Sequence, residues 1–151
     1  MARNHEPGSN RVLRTFRREH RLLVRALREW DRKLSAVSVA EVGEEAVVGI
    51  LEGLEQLIEM SLRPHCARER KALVPVLRHH GLEGMARELA REDRALAREC
   101  RQLRRALARI RRWSPQAACA VGIRVGERVI ARLIEHIHRE EADIFPRLEG
   151  R

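Results

Sequence analysis

At 151 residues, with 44% hydrophobic side chains, the chain is long enough to bury one core and of a size for one domain. With 9 glycines, 5 prolines and no tyrosine, and with Ala, Leu, Arg and Glu prevailing, it has the vocabulary of helices and too few β-branched and aromatic residues for a sheet protein. The formal charge of +9 raises nucleic acid as a partner. However, the arginines are interleaved with glutamates along every segment and no aromatic platform for bases accompanies them, so a solvated surface is the simpler reading.

In chain order, residues 1–9 are expected to form a flexible polar tail, and MARNHEPGSN lacks the apolar region of a secretory signal. Ser9 or Asn10 is expected to cap a first helix reaching about Lys33. Its buried face is Leu13, Phe16, His20, Leu23, Leu27 and Trp30 at alternating spacings of three and four. Ser38 with Glu41 forms a capping-box pattern opening a second helix. That helix continues through Pro64, which should kink rather than end it, to about His79.

Gly81 marks a short turn, and a third helix spans about Glu83 to Arg112 along Leu89, Asp93, Leu96, Cys100, Leu103, Leu107 and Ile110. Ser114 followed by Pro115 reads as a cap with proline at the first helical position, opening a fourth helix to about Leu148. RQLRRALARIRRW, from Arg101 to Trp113, is the one dense basic cluster that keeps nucleic acid in view. Four long helices on short connections, in residues 10–149, predict an all-α, up-down-up-down four-helix bundle. No apolar run is long enough to span a bilayer. Cys66, Cys100 and Cys119 show no CxxC spacing and read as free thiols of a cytoplasmic protein.

Two stretches share the form H-x3-E-x5-P: HCARERKALVP from His65 to Pro75 and HIHREEADIFP from His136 to Pro146. RREHRLLVRAL in the first helix also aligns with AREDRALAREC in the third, which places Asp93 where His20 stands. Forty-five residues separate His20 from His65, and forty-three separate Asp93 from His136. The pattern is a two-fold helix-hairpin repeat with its polar positions in register.

Each helix therefore sets polar groups into an apolar seam at one level: His20, His65, Glu69, Asp93, His136 and Glu140. Burying a charge costs several kcal/mol, roughly, unless it is paired. A histidine and a glutamate four residues apart lie on one helical face and can reach one point. A pair of divalent cations would satisfy all six groups, and mixed N/O donors suit iron, manganese or zinc. A metal-free hydrogen-bond network is the alternative, and it leaves the matched repetition unexplained.

These residues give the chain a resemblance to the hemerythrin-like, or HHE cation-binding, family. His20, His65, Glu69, His136 and Glu140 match the family pattern, as do the trailing prolines Pro75 and Pro146, over about Asn10 to Glu149. The resemblance implies a non-haem diiron centre bridged by Glu69 and Glu140. It also implies binding, sensing or reaction with O2, NO or peroxide, including peroxidase-like or catalase-like chemistry. Iron storage, iron delivery or iron-sulfur repair is a second reading, a metal-free bundle binding nucleic acid is a third, and a sensor would need a separate protein partner.

The departure from the pattern is Asp93, where the family carries histidine. Of three outcomes, ligation through oxygen is the expected one, because an unliganded aspartate in that seam would be hard to explain; the others are an under-coordinated metal open to a small ligand and loss of the second site. Glu92 lies about 100° round the helix from Asp93 and is the weaker ligand. Glu141 and His138 are expected to face outward or to support the ligands from outside.

Overall fold

The computed structural model describes residues 7–37, 43–113 and 116–149, and all its regular structure is helical. The elements are α1 (Pro7–Ala36), α2 (Glu44–Leu57), a π turn (Ile58–Leu62), α3 (Arg63–His79), α4 (Glu83–Trp113), α5 (Gln116–Arg139), a second π turn (Glu140–Ile144) and α6 (Phe145–Glu149). The two π turns join α2 to α3 and α5 to α6 without a break, so the chain is four helical rods. They pack as a bundle in which α5 lies against α1, α2 and α4, and α4 also lies against α2 and α3.

Element positions follow the sequence closely, with informative differences. The first helix begins at Pro7, earlier than the expected cap at Ser9 or Asn10, because proline is pre-set for a first helical turn and lacks only an N–H that would be unpaired there. The expected tail is accordingly shorter, and residues 1–6 lie outside the described residues, as do the Ser38–Glu41 capping box and the Ser114-Pro115 cap.

The stop after α3 is a Schellman motif. Gly81 takes φ 73°, Leu82 N–H donates to the Leu77 carbonyl at 2.8 Å, and Gly81 N–H donates to the Arg78 carbonyl at 3.0 Å. A side chain at Gly81 would be strained in that left-handed conformation.

Each of the two π turns precedes a proline by two residues. Pro64 follows Ile58–Leu62 and Pro146 follows Glu140–Ile144. A proline ring in a regular helix clashes with the carbonyl four residues back and cannot donate to it. Here the residues four back are Met60 and Ala142, each inside a π turn, and the wider turn accommodates the ring.

The apolar core is divided in two. One part gathers Leu27, Leu51, Leu54, Leu103, Leu107, Val129 and Leu133, among others; the second gathers Leu13, Phe16, Leu73, Leu77, Leu89, Ile144 and Phe145. Along each rod the polar residues fall between the two parts: His20 between Phe16 and Leu23, and His65 with Glu69 between Leu62 and Leu73. Close approach at one end relies on Gly122, where an added Cβ would come within 2.8 Å of Ile110 Cδ1 and 2.9 Å of Leu51 Cδ1. The fold thus holds a single polar layer between two well-packed apolar ends.

Candidate metal centre

Five charged or polar side chains are fully buried among the described residues, and all five were expected as ligands: His20, His65, Glu69, His136 and Glu140, each at most 5% exposed. His20 comes from α1, His65 and Glu69 from α3, His136 from α5, and Glu140 from the π turn that follows it. Their donor atoms form two compact groups that share one residue. One group is His20, His65 and Glu69; the other is Glu69, His136 and Glu140.

Within the first group, Glu69 Oε1 lies 3.3 Å from His20 Nε2 and its Oε2 lies 3.3 Å from His65 Nε2. In the second, Glu140 Oε1 lies 3.1 Å from His136 Nε2, and its Oε2 reaches back to within 3.6 Å of His20 Nε2. These separations are short enough for ion pairs. Yet all three Nε2 atoms and all four carboxylate oxygens lack a hydrogen-bond partner. The two facts agree if the atoms point at common positions between them rather than at one another. Leaving a buried polar atom unpaired costs about 1–3 kcal/mol, so seven such atoms in one layer make a setting that a shared occupant would relieve. Imidazole nitrogens and carboxylate oxygens arranged in this way fit divalent cations of the iron, manganese and zinc class.

The outward side of each imidazole is equally specific. His20 Nδ1 donates to Glu141 at 3.0 Å, His65 Nδ1 to Glu19 at 2.6 Å, and His136 Nδ1 to Glu92 at 3.0 Å. An ionised carboxylate can only accept, so each Nδ1 carries a proton, and a ring that holds only that proton turns its Nε2 lone pair inward. Carboxylates behind metal-bound histidines fix the tautomer and raise the basicity of the ring in this way. Glu19 is itself held by Arg68 at 2.8 Å, and Glu92 by Arg139. Phe145 stacks on the His20 ring at 5.4 Å with planes 10° apart, which removes the remaining rotational freedom of that imidazole.

The electrostatics of the protein groups alone show what a cation would replace. Burial opposes charge on Glu69, but His20 and His65 outweigh it and hold the carboxyl well below its ordinary range. Glu140 goes the other way, raised by burial and by the neighbouring Glu69. At His136 burial works against the imidazolium, yet the neighbouring Cys66, Glu140 and Glu92 push it up to about 12. His65 is raised as well, with Glu69 and Glu19 overcoming its burial. Protons on His65 and His136 offset the buried acids when protein groups stand alone, and a bound cation would displace them.

Asp93 does not join either donor group. Its Oδ2 lies 2.8 Å from Arg70 Nη1, and burial raises its carboxyl above the ordinary range despite that arginine. The residue that meets His136 from α4 is Glu92, one position earlier, and it does so at Nδ1, on the outer side of the ring. Asp93 instead lines a cavity of about 190 Å³ together with Cys66, Arg70, Leu96, Cys100 and Leu133. Cys66 and Asp93 form part of that wall and both feel the charge of His136, so the cavity abuts the half of the centre that carries one histidine.

Sequence reasoning found the inward residues and missed most of their supports. Glu19 and Glu141 each stand next to a ligand in sequence, and Glu141 was expected outside the ligands. The signal available was an acid beside a buried histidine or glutamate, too common in a chain with 22 acidic residues to single out. A family model described as "Hemerythrin HHE cation binding domain" matches residues 5–148 of the chain. No match was found among curated proteins or among solved structures.

Proposed function

Because the chain belongs to the hemerythrin HHE cation-binding family, we propose that its buried polar layer holds two non-haem iron ions and that the protein binds, senses or reacts with O2, NO or peroxide. The observation that carries this reading is the set of seven buried donor atoms without hydrogen-bond partners, arranged as two groups that share Glu69. His20 and His65 would hold one metal, His136 the other, and Glu69 and Glu140 would lie between them. Within this reading the four rods run up-down-up-down as two related helix hairpins in one unit of residues 10–149. Manganese or zinc would fit the same donors, and only the metal content distinguishes them.

When bound, an iron pair supplies reversible electron transfer and Lewis acidity toward a small ligand. The chain's own residues supply the rest. Glu19, Glu92 and Glu141 keep each ring in the tautomer that presents Nε2 inward. Five carboxylates against two divalent cations bring the layer close to neutrality, which limits the cost of burying it. The apolar ends on either side exclude bulk water. Asp93, drawn to Arg70 rather than inward, leaves the His136 side with fewer protein donors, and the adjacent cavity is large enough for a diatomic molecule or peroxide.

No helix is long and apolar enough to cross a membrane among the described residues, and three unpaired thiols suit a reducing cytoplasm. The test is metal per chain by elemental analysis on untagged protein, with the visible spectrum recorded in air and under NO. About two irons and a charge-transfer band that changes with NO or peroxide support the proposal. Iron that leaves rapidly to a chelator or an apo acceptor, with no spectral response to these ligands, would replace it with storage or delivery. A folded protein that takes up no metal, even when iron is offered anaerobically, would overturn the metal reading altogether.

A further inference from the structure

Outside the metal centre, a cleft of about 680 Å³ lies between α1 and α5, bordered by Arg21, Arg25, Arg28 and Arg32 with His138. The four arginines recur at spacings of four, three and four along α1, so they form one stripe of about 16 Å at the helical rise per residue. All four are exposed, and none makes an ion pair or hydrogen bond among the described residues. Val24 and Ile137 give the cleft an apolar floor, and its inner end is the His20–Glu141 pair of the metal centre.

An arginine-rich surface alone would not single this cleft out, but most arginines that face a neighbouring helix elsewhere meet an acid. Across the seam of α2 and α3 with α4, Arg104 meets Glu55 and Glu59, Arg111 meets Glu52, and Arg70 meets Asp93. Across α4 and α5, Arg128 meets Glu99 and Arg139 meets Glu92. Those inter-helix arginines are neutralised, whereas the α1/α5 cleft keeps four without an acid partner among the described residues, against the two, Arg105 and Arg109, that line a smaller cleft of about 450 Å³ between α4 and α5. Asp31 is the one other acid in the cleft besides Glu141, and it is unpaired as well.

We propose that the α1/α5 cleft is a binding site for a small molecule carrying an oligophosphate chain. Guanidinium groups present forked donors that match phosphate oxygens, so a linear row of them suits a linear row of phosphates. The volume falls within the range of small-ligand sites of roughly 300–1,000 Å³. No Phe, Tyr or Trp lines the cleft among the described residues, which disfavours a single-stranded nucleic acid held by base stacking. The proposal stands independently of which metal the centre holds.

The test is calorimetric titration of the protein as purified with inorganic tripolyphosphate, with a nucleoside triphosphate, and with a short single-stranded oligonucleotide. Each titration is repeated on a double variant, R25E with R28E, and on a charge-matched control, R98E with R101E, whose exposed arginines lie on α4. The expected result is micromolar binding of a triphosphate at one per chain, weakened at least tenfold in R25E/R28E and less than twofold in the control. Equal affinity for tripolyphosphate and nucleotide would identify the phosphate chain as the whole determinant; tighter nucleotide binding would identify a nucleoside polyphosphate as the ligand. Equal losses in both variants, binding of the oligonucleotide alone, or no binding at all would overturn the proposal. Metal content and helical circular dichroism, measured on every sample, keep a folding defect from being read as a lost site.

Discussion

The two halves of the polar layer share a carboxylate and differ in almost everything else. Around Glu69, two imidazoles face one carboxyl group, and that carboxyl is held ionised against its burial. Around Glu140, one imidazole within the group meets an acid that burial and Glu69 together push toward its protonated form. The second half also sits on a π turn, borders a cavity, and has the Cys66 thiol close enough to feel the charge of its histidine. Two stretches with the same H-x3-E spacing therefore make unequal sites. The inequality traces to α1 and α4: His20 enters from α1, while α4 offers Glu92 to the outside of His136 and turns Asp93 toward Arg70.

The largest expected effect comes from Glu69→Ala, since Glu69 belongs to both groups. Metal per chain, read by elemental analysis, should fall from about two to near zero, with the helical circular dichroism retained. Retention of both metals would break the picture of a shared ligand. Complete metal removal by a chelator should likewise destabilise the bundle, by about 2.7 kcal/mol for a site whose free metal had stood at 100 times its Kd. Denaturant unfolding of the two forms measures it.

Next in size is His136→Ala, which removes the one imidazole of its group and should leave about one metal per chain. His65→Ala leaves His20 in place and should weaken binding while preserving a stoichiometry near two. Equal stoichiometries in these two variants would abolish the asymmetry.

The supporting carboxylates should matter less. Glu92→Gln and Glu19→Gln keep the size of the side chain and weaken the hydrogen bond to the ring, for an expected loss of about 10–100-fold in metal affinity by competition with a chelator. Glu92→Gln should lie at the upper end, because no second imidazole compensates on that side.

The smallest change expected is in Asp93→His, which restores the pattern of the family at that position. It should tighten the second metal and shift the visible band without changing the fold. An unaltered spectrum and affinity would mean that position 93 stays turned toward the cavity whatever its side chain.

Much of this was legible in the chain itself. The buried seams, the stop at Gly81, the interruption near Pro64 and the five buried polar residues of the central layer all follow from spacing, because a helix converts a sequence period directly into a face. Asp93 shows where that conversion stops. Its position in the repeat put it on the same face as His20, yet a rotation of α4 by one residue is enough to exchange Glu92 for Asp93 at the edge of the centre, and the exposed Arg70 across the seam draws the shorter acid away. Glu19 and Glu92 were equally hidden, since each acts on a ring from another rod. The sequence by itself determined which residues are buried and how far apart they sit along each helix, since helical geometry is local. Only the tertiary structure decided which carboxylate stands behind which imidazole, which half of the layer has one histidine, and which arginines are left uncompensated between α1 and α5. Those outcomes depend on the rotation and offset of one helix against another, and these are set by how the two apolar cores pack on either side.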